Sequence, residues 1–393
     1  MCTYNIMQKV ILKKGKEKSV VHRHPWIFSG AIAHAEVSDG QLAAVCAHDG
    51  TVLAWGYYNS RTDIAVRLLS FGDRKPDTDL FVNRICASLT LRKVTGITQC
   101  TNAYRLIHSE GDMLPGLIVD WYKGHCVMQS LTLGMDKLKV TIAQIINDVL
   151  KPESIYERSD HEGRKKEGLH EQSTQVYGYT PEIIEVNENG MLFLVDVRRG
   201  QKTGFFCDQR DNRKKVKEIA NGRDVLNLFS YTGGFSVAAL LGGAKSAVSV
   251  DGSGSALQVA HRNCEMNNVG QAHEIIKADV FDYINNNDIT QNLIICDPPA
   301  LAKNKASVNN AARGYKELNL KIISKCPADS FLLTCSCSRF IDHKLFQQIV
   351  FAACNDAGRD ACIVGRYSQP ADHPVNIYCP ETEYLKALLL YIY

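Results

Sequence analysis

Two polar segments in the C-terminal half of the chain directly follow apolar runs of strand length. The run Val225–Phe229 leads into Ser-Tyr-Thr-Gly-Gly, and a helix-length apolar segment begins at once. Glycines in such a turn let a ligand approach the backbone closely, at the sheet edge where nucleotides bind. The next run, Ser246–Val250, ends at Asp251, a position from which an acidic side chain accepts hydrogen bonds from ribose hydroxyls. Taken alone, the turn could be a tight connection and Asp251 a helix cap.

Two more acidic residues occupy comparable positions. Asp279 is followed by Val280 and Phe281, which combines a carboxylate for the amino edge of an adenine with apolar surface for its flat face. Asp297 follows the apolar run Leu293–Cys296 and precedes two prolines. Because proline cannot donate to a sheet ladder, the strand must stop there, and Asp297 is presented at the sheet edge.

The order and spacing of these segments on one sheet predict a binding site for S-adenosylmethionine. Asp251 would hold the ribose, and Asp279 with Val280 would hold the adenine. An NAD-dependent oxidoreductase would need a G-x-G-x-x-G pattern after its first strand, which this sequence lacks. The residues of the turn that would face the methionine part are Tyr231, Thr232 and Gly233.

The elements that must position these residues follow a regular pattern. From Arg223 onward, apolar runs of strand length alternate with helix-length segments. This alternation predicts a parallel sheet covered by helices, an α/β Rossmann-like domain. The apolar run Tyr384–Tyr393 predicts one further strand of the same sheet. The other predicted strands are Val225–Phe229, Ala247–Val250, Leu293–Cys296 and Phe331–Thr334.

The N-terminal half has a different pattern. From Lys9 to about Ser70, short apolar or alternating runs separated by turn signals predict a small β-rich domain. After a charged linker, helical spacing over Leu80–Lys93 and Lys137–Leu150, with strand-like runs between them, predicts a central α+β domain. A chain of 393 residues is long enough for several domains. The predicted domain boundaries are 7–75, 76–185 and 186–393.

The β-rich N-terminal region is locally basic. Between Lys9 and Gly30 there are six lysines and arginines against the single acidic residue Glu17, although the net charge of the chain is only +3. Such a segment is either a solvated basic face or a phosphate-binding patch of an RNA-binding domain. If it binds RNA, the residues expected to contact the RNA are Lys13, Lys16, Arg23, His24 and Trp26.

The composition narrows the class of protein. With 45% hydrophobic and 22% charged residues the chain is typical of folded globular proteins. No run reaches the roughly 20 apolar residues of a membrane-spanning helix. The fourteen cysteines are scattered, without CxxC pairs or an export signal, which predicts reduced thiols, no structural metal site and a cytoplasmic location.

Distinctive sequence motifs are spread along nearly the whole chain, beginning near Lys9. They include HPWIFSGAI, GLIVDWY, GQKTGFFCDQRDNR, LNLFSYTGGFSVAAL, DPPA, RGYKELN, TCSCS and DHPVNIY. In these motifs the chain resembles the RlmI family of bacterial 23S ribosomal RNA cytosine-5 methyltransferases. The resemblance implies an N-terminal PUA domain, a central α+β domain and a class I methyltransferase domain. It also implies that the substrate is 23S ribosomal RNA, either naked or in a pre-ribosomal particle.

The same resemblance implies roles for individual residues. Carbon 5 of cytosine is a poor nucleophile, so a thiolate must first add to carbon 6. The family pattern assigns that thiolate to Cys337, and we expect Asp297 to hold the cytosine ring. Cys335 lies two residues earlier and could point to the same face of a strand. Further residues implied to line the cofactor site are Lys202, Phe205, Gln209, Phe229 and Asp297.

The sequence departs from the family pattern at three positions. Ala300 stands where a basic residue usually follows DPP, Arg339 where a glycine is common after SCS, and Cys335 where an aromatic or apolar residue is usual. Two alternatives stay open: methylation of another RNA or base atom, and a non-catalytic RNA-binding protein. The sequence identifies neither the general base nor the oligomeric state, a homodimer included.

Overall fold

The computed structural model describes residues 8–302 and 304–393, so Met7, the first residue of the predicted N-terminal domain, lies outside the described residues. The chain folds into two compact units. The first contains the described residues up to Ile184, together with Asp196–Phe205 and Ala371–Thr382. The second contains Glu185–Val195, Phe206–Pro370 and Glu383–Tyr393.

A six-stranded sheet in the first unit has the order β2-β6-β5-β4-β1-β3. Burial alternates along β1, where Val10 and Leu12 are buried and their neighbours are half-exposed, as a strand with one face on a core requires. The predicted β-rich N-terminal region is confirmed. Its strands are β1 Lys9–Leu12, β2 Trp26–Phe28, β3 Ile32–Glu36, β4 Leu42–Cys46, β5 Val52–Tyr58 and β6 Ile64–Phe71, with helix α1 at Lys18–Val21.

A second sheet of the first unit has five strands in the order β11-β10-β9-β8-β7. Its core includes Ile85, Leu106, Val119 and Ile142, all fully buried. The two predicted helices form, and the strands predicted beside them pair antiparallel. The elements are α2 Thr78–Val94, α3 Ile97–Cys100, β7 Ala103–His108, β8 Leu117–Tyr122, β9 His125–Ser130, α4 Leu133–Leu150, β10 Ser154–Ser159, α5 Gly163–Lys166 and β11 Gln172–Gly178.

The segment Ala371–Thr382 joins the first unit through a buried ionic network. The Arg92 guanidinium donates to both carboxylate oxygens of Asp112 at 2.5 and 2.7 Å, and to the carbonyl of Asp372 at 2.7 Å. The Asp372 carboxylate accepts from the backbone N–H of Arg105 at 3.0 Å. Part of the DHPVNIY motif therefore anchors this segment to residues more than 260 positions earlier.

The second unit is built on a seven-stranded sheet with the order β16-β15-β14-β17-β18-β20-β19. The first five strands in this order are parallel, and the last two are antiparallel to their neighbours. The four predicted parallel strands and the predicted last strand are confirmed. The strands are β14 Asp224–Leu228, β15 Ser246–Asp251, β16 His273–Lys277, β17 Leu293–Cys296, β18 Ser330–Ser336, β19 Ala361–Tyr367 and β20 Lys386–Ile392.

Helices cover this sheet, and a two-stranded hairpin packs with them. The Asn263 and Asn267 side chains of one helix accept hydrogen bonds from the backbone N–H groups of Leu194 and Leu192 in the hairpin. No helix in the described ranges is both long and apolar enough to cross a bilayer. The hairpin strands are β12 Ile183–Glu188 and β13 Met191–Asp196, and the helices are α6 Arg210–Ile219, α7 Gly234–Leu241, α8 Gly254–Met266, α9 Val280–Asn286, α10 Val308–Lys325 and α11 His343–Ala357.

Candidate active site

The turn between β14 and α7 has an unusual backbone. Phe229 and Tyr231 adopt left-handed φ angles of 58° and 47°, and Gly233 has a φ of 74°. A Cβ on Gly233 would lie 2.8 Å from the Cβ of Ala260, so glycine is required there. Left-handed non-glycine residues cost roughly 1 to 3 kcal/mol each and cluster at ligand sites. The strain supports the interpretation of this turn as a binding element.

Asp251, at the end of β15, organises the same turn. One of its carboxylate oxygens accepts from the backbone N–H of Tyr231 at 2.9 Å, and the other accepts from that of Ser253 at 2.8 Å. The side chain is half-buried. Each carboxylate oxygen has a second lone pair. Asp251 can therefore shape the turn and still accept a hydrogen bond from a ligand hydroxyl. The structural role and the ribose-binding role that the sequence offered for Asp251 are compatible.

The segment predicted to hold adenine is divided between the surface and the core. Asp279 is exposed and caps α9, since its side chain accepts from the N–H groups of Phe281 and Asp282. The Val280 side chain is only 3% exposed and packs in the core. Any ligand contact of Val280 would use its main chain. The half-buried rings of Phe229 and Phe281, 6.1 Å apart edge to face, supply aromatic surface instead.

These groups fit an adenosine-containing cofactor. Two carboxylates follow neighbouring strands, and carboxylates accept from the hydroxyl and amino groups that adenosine offers. Among the described residues, Ser230 has a buried hydroxyl oxygen with no hydrogen-bond partner, and it lies in the strained turn. Thr232 is buried, with its carbonyl accepting from Asn263 at 2.8 Å. The donor and acceptor set of the turn thus suits the predicted ligand.

Asp297 and Gln209 lie together in the second unit. The Gln209 side-chain amide donates to Asp297 Oδ2 at 2.9 Å, and Gln209 Oε1 accepts from Asn212 at 2.5 Å. Gln209 is buried and Asp297 half-buried. The chain of amides orients the carboxylate at the carboxyl end of β17, the position predicted for it. This contact joins the DQR and DPP motifs.

Cys335 and Cys337 differ sharply in their surroundings. Cys335 is fully buried within β18, and burial together with the Asp297 charge holds the pKa of its thiol well above the usual range. Since β18 ends at Ser336, Cys337 leaves the ladder and is half-buried, with its thiol 3.9 Å from the carbonyl of Pro298. Only Cys337 combines partial exposure with contact to the DPP motif.

The turn that carries Cys337 is fixed by buried partners. The Ser338 hydroxyl lies 2.9 Å from the Tyr315 hydroxyl and accepts from the backbone N–H of Ala302 at 3.0 Å. The Ser338 carbonyl accepts from Lys386 Nζ at 2.6 Å. Sequence reasoning assigned no role to Tyr315 or Lys386. The one available signal was a lone lysine inside the apolar run of the last strand.

Two residues assigned to the cofactor site belong to the first unit. Lys202 is exposed, with a left-handed φ of 53°, whereas Phe205 is 3% exposed. Between them, the Thr203 hydroxyl donates to Asp120 at 2.6 Å and lies 2.9 Å from the Tyr122 hydroxyl, which anchors this segment. The assignment of Lys202 and Phe205 to the cofactor site stays a prediction.

The N-terminal basic segment is largely exposed, with one exception. Lys13, Lys16 and Arg23 are exposed and His24 is half-buried. Trp26 was expected to contact RNA, but it is 4% exposed and its indole N–H donates to Glu110 at 2.8 Å. Its ring packs inside the first unit and is not available for base stacking.

His24 belongs to the single group of potential metal ligands in the part of the chain that the structure describes. Its partners are Cys379 and Glu381, with His24 Nε2 3.4 Å from Glu381. However, His24 Nδ1 accepts from the backbone N–H of Trp26 at 3.2 Å. This bond places the ring proton on Nε2, which then has no lone pair for an ion. The tautomer therefore opposes metal binding.

Comparison with known proteins matches two parts of the chain to family models and the whole chain to relatives. Residues 10–71 match the model of a PUA-like domain, and residues 161–374 match that of S-adenosylmethionine-dependent methyltransferases. Ribosomal RNA large subunit methyltransferase I of Aeromonas salmonicida is 41% identical over 97% of this chain and 98% of its own. The same-named protein of Tolumonas auensis is 40% identical over 97% and 98%. The structure of SMU.776, solved with SAH, has a TM-score of 0.86 at 25% identity, covering 98% of this chain and 100% of that one.

Proposed function

The chain belongs to the ribosomal RNA large subunit methyltransferase I family, and from this premise we propose that it methylates carbon 5 of a cytosine in 23S ribosomal RNA through a cysteine–cytosine adduct. The cofactor is S-adenosylmethionine, which supplies an electrophilic methyl group. The observation that carries the cytosine-5 proposal is the half-exposed Cys337 thiol, 3.9 Å from Pro298 and following the strand next to that of Asp297. Methylation of a base amino group would need no such thiol.

Cys337 acts as the nucleophile in this proposal. Its thiolate adds to carbon 6 of the cytosine, and the electron pair of the carbon 5–carbon 6 bond becomes available at carbon 5. Carbon 5 attacks the methyl group, whose bond to the sulfonium sulfur breaks with its electron pair left on sulfur as S-adenosylhomocysteine, and a base then removes the carbon 5 proton. The electron pair returns to the ring bond and expels the Cys337 thiolate. The bond between the Cys337 sulfur and carbon 6 that forms in the first step is the bond that breaks in the last, so the enzyme regains its starting state.

Asp297 positions the cytosine for this addition. Its carboxylate, oriented by Gln209, would hydrogen-bond the amino group or the protonated ring nitrogen of the base. Such a bond stabilises the charge that enters the ring as sulfur adds, an electrostatic effect of roughly 3 kcal/mol in favourable cases. Burial raises the thiol pKa values of Cys296 and Cys335, and the Asp297 charge raises them further, so Asp297 also opposes thiolate formation nearby.

Replacing Asp251 by alanine is expected to weaken cofactor binding about tenfold to a hundredfold, which corresponds to roughly 1 to 3 kcal/mol. The substitution removes the acceptor proposed for the ribose and leaves the N–H groups of Tyr231 and Ser253 without their partner. Titration calorimetry with S-adenosylmethionine measures the change. The matched control is Asp282→Ala, which removes an exposed acidic side chain in the first turn of α9. An unchanged dissociation constant for Asp251→Ala contradicts the assignment.

The basic segment of the first unit is proposed to bind RNA phosphates. Neutralising Lys13, Lys16 and Arg23 with glutamine should lower RNA affinity and reduce the slope of log affinity against log salt by about 2 to 3, since each lost phosphate contact removes about 0.7 to 0.9. Neutralising three exposed lysines of the second unit, Lys214, Lys245 and Lys344, provides the control. If both triple variants keep the original slope, the segment is a solvated face.

The proposed function as a whole is tested by mapping 5-methylcytosine in 23S ribosomal RNA from cells with and without the gene. We expect one modified cytosine to disappear in the deletion strain and to return when the gene is restored. Loss of a different methylated nucleoside would identify another base atom as the target. No loss of any methyl group would favour a non-catalytic RNA-binding protein.

A further inference from the structure

We propose that the buried ammonium group of Lys386 is a positioning residue that keeps Cys337 in its thiolate form, ready to attack the base. The inference deepens the cysteine mechanism and rests on that proposed function. It arises from a charged side chain that the apolar strand β20 holds against the Cys337 turn. No step of the mechanism described above uses this group.

The sheet register places Lys386 beside the turn. Strands β18 and β20 are antiparallel, and Lys386 is directly opposite Ser336, the residue before Cys337. Its Nζ donates to the carbonyl of Ser338, the residue after Cys337, at 2.6 Å, and to the carbonyl of Tyr384 at 2.7 Å. Lys386 is therefore fixed relative to both chain neighbours of the cysteine, to Ser336 through its backbone and to Ser338 through its ammonium group. Since an ammonium has three donors, one remains to face an anion.

The burial of Lys386 needs a reason. The residue is 2% exposed, and burying a charged group without an opposite charge is costly. The two carbonyls satisfy hydrogen bonds, and the nearby Glu383 and Asp342 carboxylates supply some opposite charge. A thiolate at Cys337 supplies more: burial lowers the pKa of Lys386, and attraction to the Cys337 thiolate is the largest effect that raises it. Such attraction is mutual, so an ammonium that is favoured by the thiolate favours the thiolate equally.

The protonation states are compatible with this pairing at neutral pH. Burial is the largest effect on Lys386 and lowers its pKa to about 8, so the amine is still mostly protonated at pH 7. The charge of Lys386 offsets that of Asp297, which disfavours thiolates in this region. The other titratable groups that face the pair are Cys335 on β18, Tyr315 on α10, Asp342 at the start of α11, and Glu383 before β20, itself paired with His343.

Lys386 also pins the Ser338 carbonyl, so the test must separate its charge from its structural role. We compare Lys386→Met, which removes the charge, with Lys386→Arg, which keeps it. Lys325→Met is the matched control, because Lys325 likewise donates to backbone carbonyls, those of Ile284, Asn285 and Asn287. Near-ultraviolet circular dichroism verifies that each variant is folded.

The readout is the rate at which iodoacetamide alkylates Cys337 in the full chain without RNA, followed by mass spectrometry from pH 6 to pH 10. Only the thiolate reacts, so the rate reports its population. Lys386→Met should lower the rate at pH 7 about tenfold to a hundredfold and shift the midpoint upward, with the rate recovering at high pH. Lys386→Arg and Lys325→Met should keep the original midpoint. The exposed Cys86 and Cys100 of the same samples serve as internal references.

An unchanged midpoint in Lys386→Met overturns the proposal, as does a rate that falls equally at every pH, which indicates a purely structural role. The result is separable from the mechanism itself. If Cys337→Ala still forms the covalent adduct with 5-fluorocytosine RNA, the cysteine mechanism fails whatever the alkylation shows. If that adduct is lost while the Lys386→Met midpoint is unchanged, only the role of Lys386 is refuted.

Discussion

Replacing Cys337 by alanine is expected to reduce methyl transfer to 23S RNA by about 10⁴-fold or more, the scale of effect seen when a covalent nucleophile is removed. The reason is chemical: carbon 5 gains nucleophilic character only after sulfur has added to carbon 6. Cofactor affinity should stay within a few-fold of the original, since the residues proposed to hold the cofactor are unchanged. Transfer of a labelled methyl group measures the rate, and calorimetry measures the affinity.

Cys335→Ala is the matched control for this experiment. Cys335 is fully buried in β18, and its raised thiol pKa keeps it protonated. Its replacement should cost about 1 kcal/mol of stability through a small cavity and leave the chemistry intact. RNA carrying 5-fluorocytosine blocks removal of the carbon 5 substituent and traps the adduct. The adduct should persist with Cys335→Ala and vanish with Cys337→Ala. The reverse pattern assigns the nucleophile to Cys335. If both variants form the adduct, neither thiol alone is required for it.

The fold of the second unit followed from the sequence where strands are buried on both faces. Runs such as Leu293–Cys296 are uniformly apolar because helices cover both sides of a parallel sheet, and they were predicted correctly. The edge strands β16 and β19 were missed. In β16 (His273–Lys277) only His273 is buried, and the charged Glu274 and Lys277 are exposed, so the sequence pattern does not distinguish this strand from a loop. A strand at the edge of a sheet lacks the uniformly apolar pattern of a buried strand, and only the full sheet shows which strands lie at its edges.

The candidate site was predictable to the extent that it lies at strand ends. The positions of Asp251 and Asp297 follow from where apolar runs stop. By contrast, the role of Asp279 as a cap, the burial of Trp26 and the packing of Val280 depend on partners that adjacent sequence does not reveal. Contacts such as Lys386 with Ser338 join residues 48 positions apart through the pairing of two strands. Local sequence patterns do not show which residues of two strands pair with each other.

A second large effect, on the stability of the second unit, is expected from replacing a motif residue that takes no part in the proposed reaction. Arg213, in the DQRDNR motif, donates to both carboxylate oxygens of Glu188 at 2.7 Å and to the carbonyl of Phe206 at 3.0 Å. The two charged side chains are 3% and 0% exposed. Arg213→Met should destabilise the second unit by about 3 to 5 kcal/mol, because it leaves a buried carboxylate without its partner.

The measurement must report on the second unit alone. Tryptophan fluorescence is unsuitable, since Trp26, Trp55 and Trp121 all lie in the first unit. Labelling of the buried Cys296 thiol in urea, read by mass spectrometry, follows opening of the second unit instead. The urea midpoint of Cys296 labelling should fall clearly in Arg213→Met.

Combining Arg213→Met with Glu188→Leu distinguishes two roles of Arg213: balancing the buried charge of Glu188, and contacting the cofactor. When both charges are replaced by apolar side chains of similar size, no uncompensated charge remains buried, and such exchanges are often nearly neutral. The double variant should therefore be more stable than Arg213→Met by at least about 2 kcal/mol. It should also bind S-adenosylmethionine with nearly the original affinity, because Arg213 is expected to hold α6 against strand β12, which carries Glu188, rather than contact the cofactor. A double variant that folds but no longer binds the cofactor would instead place Arg213 in the binding site itself.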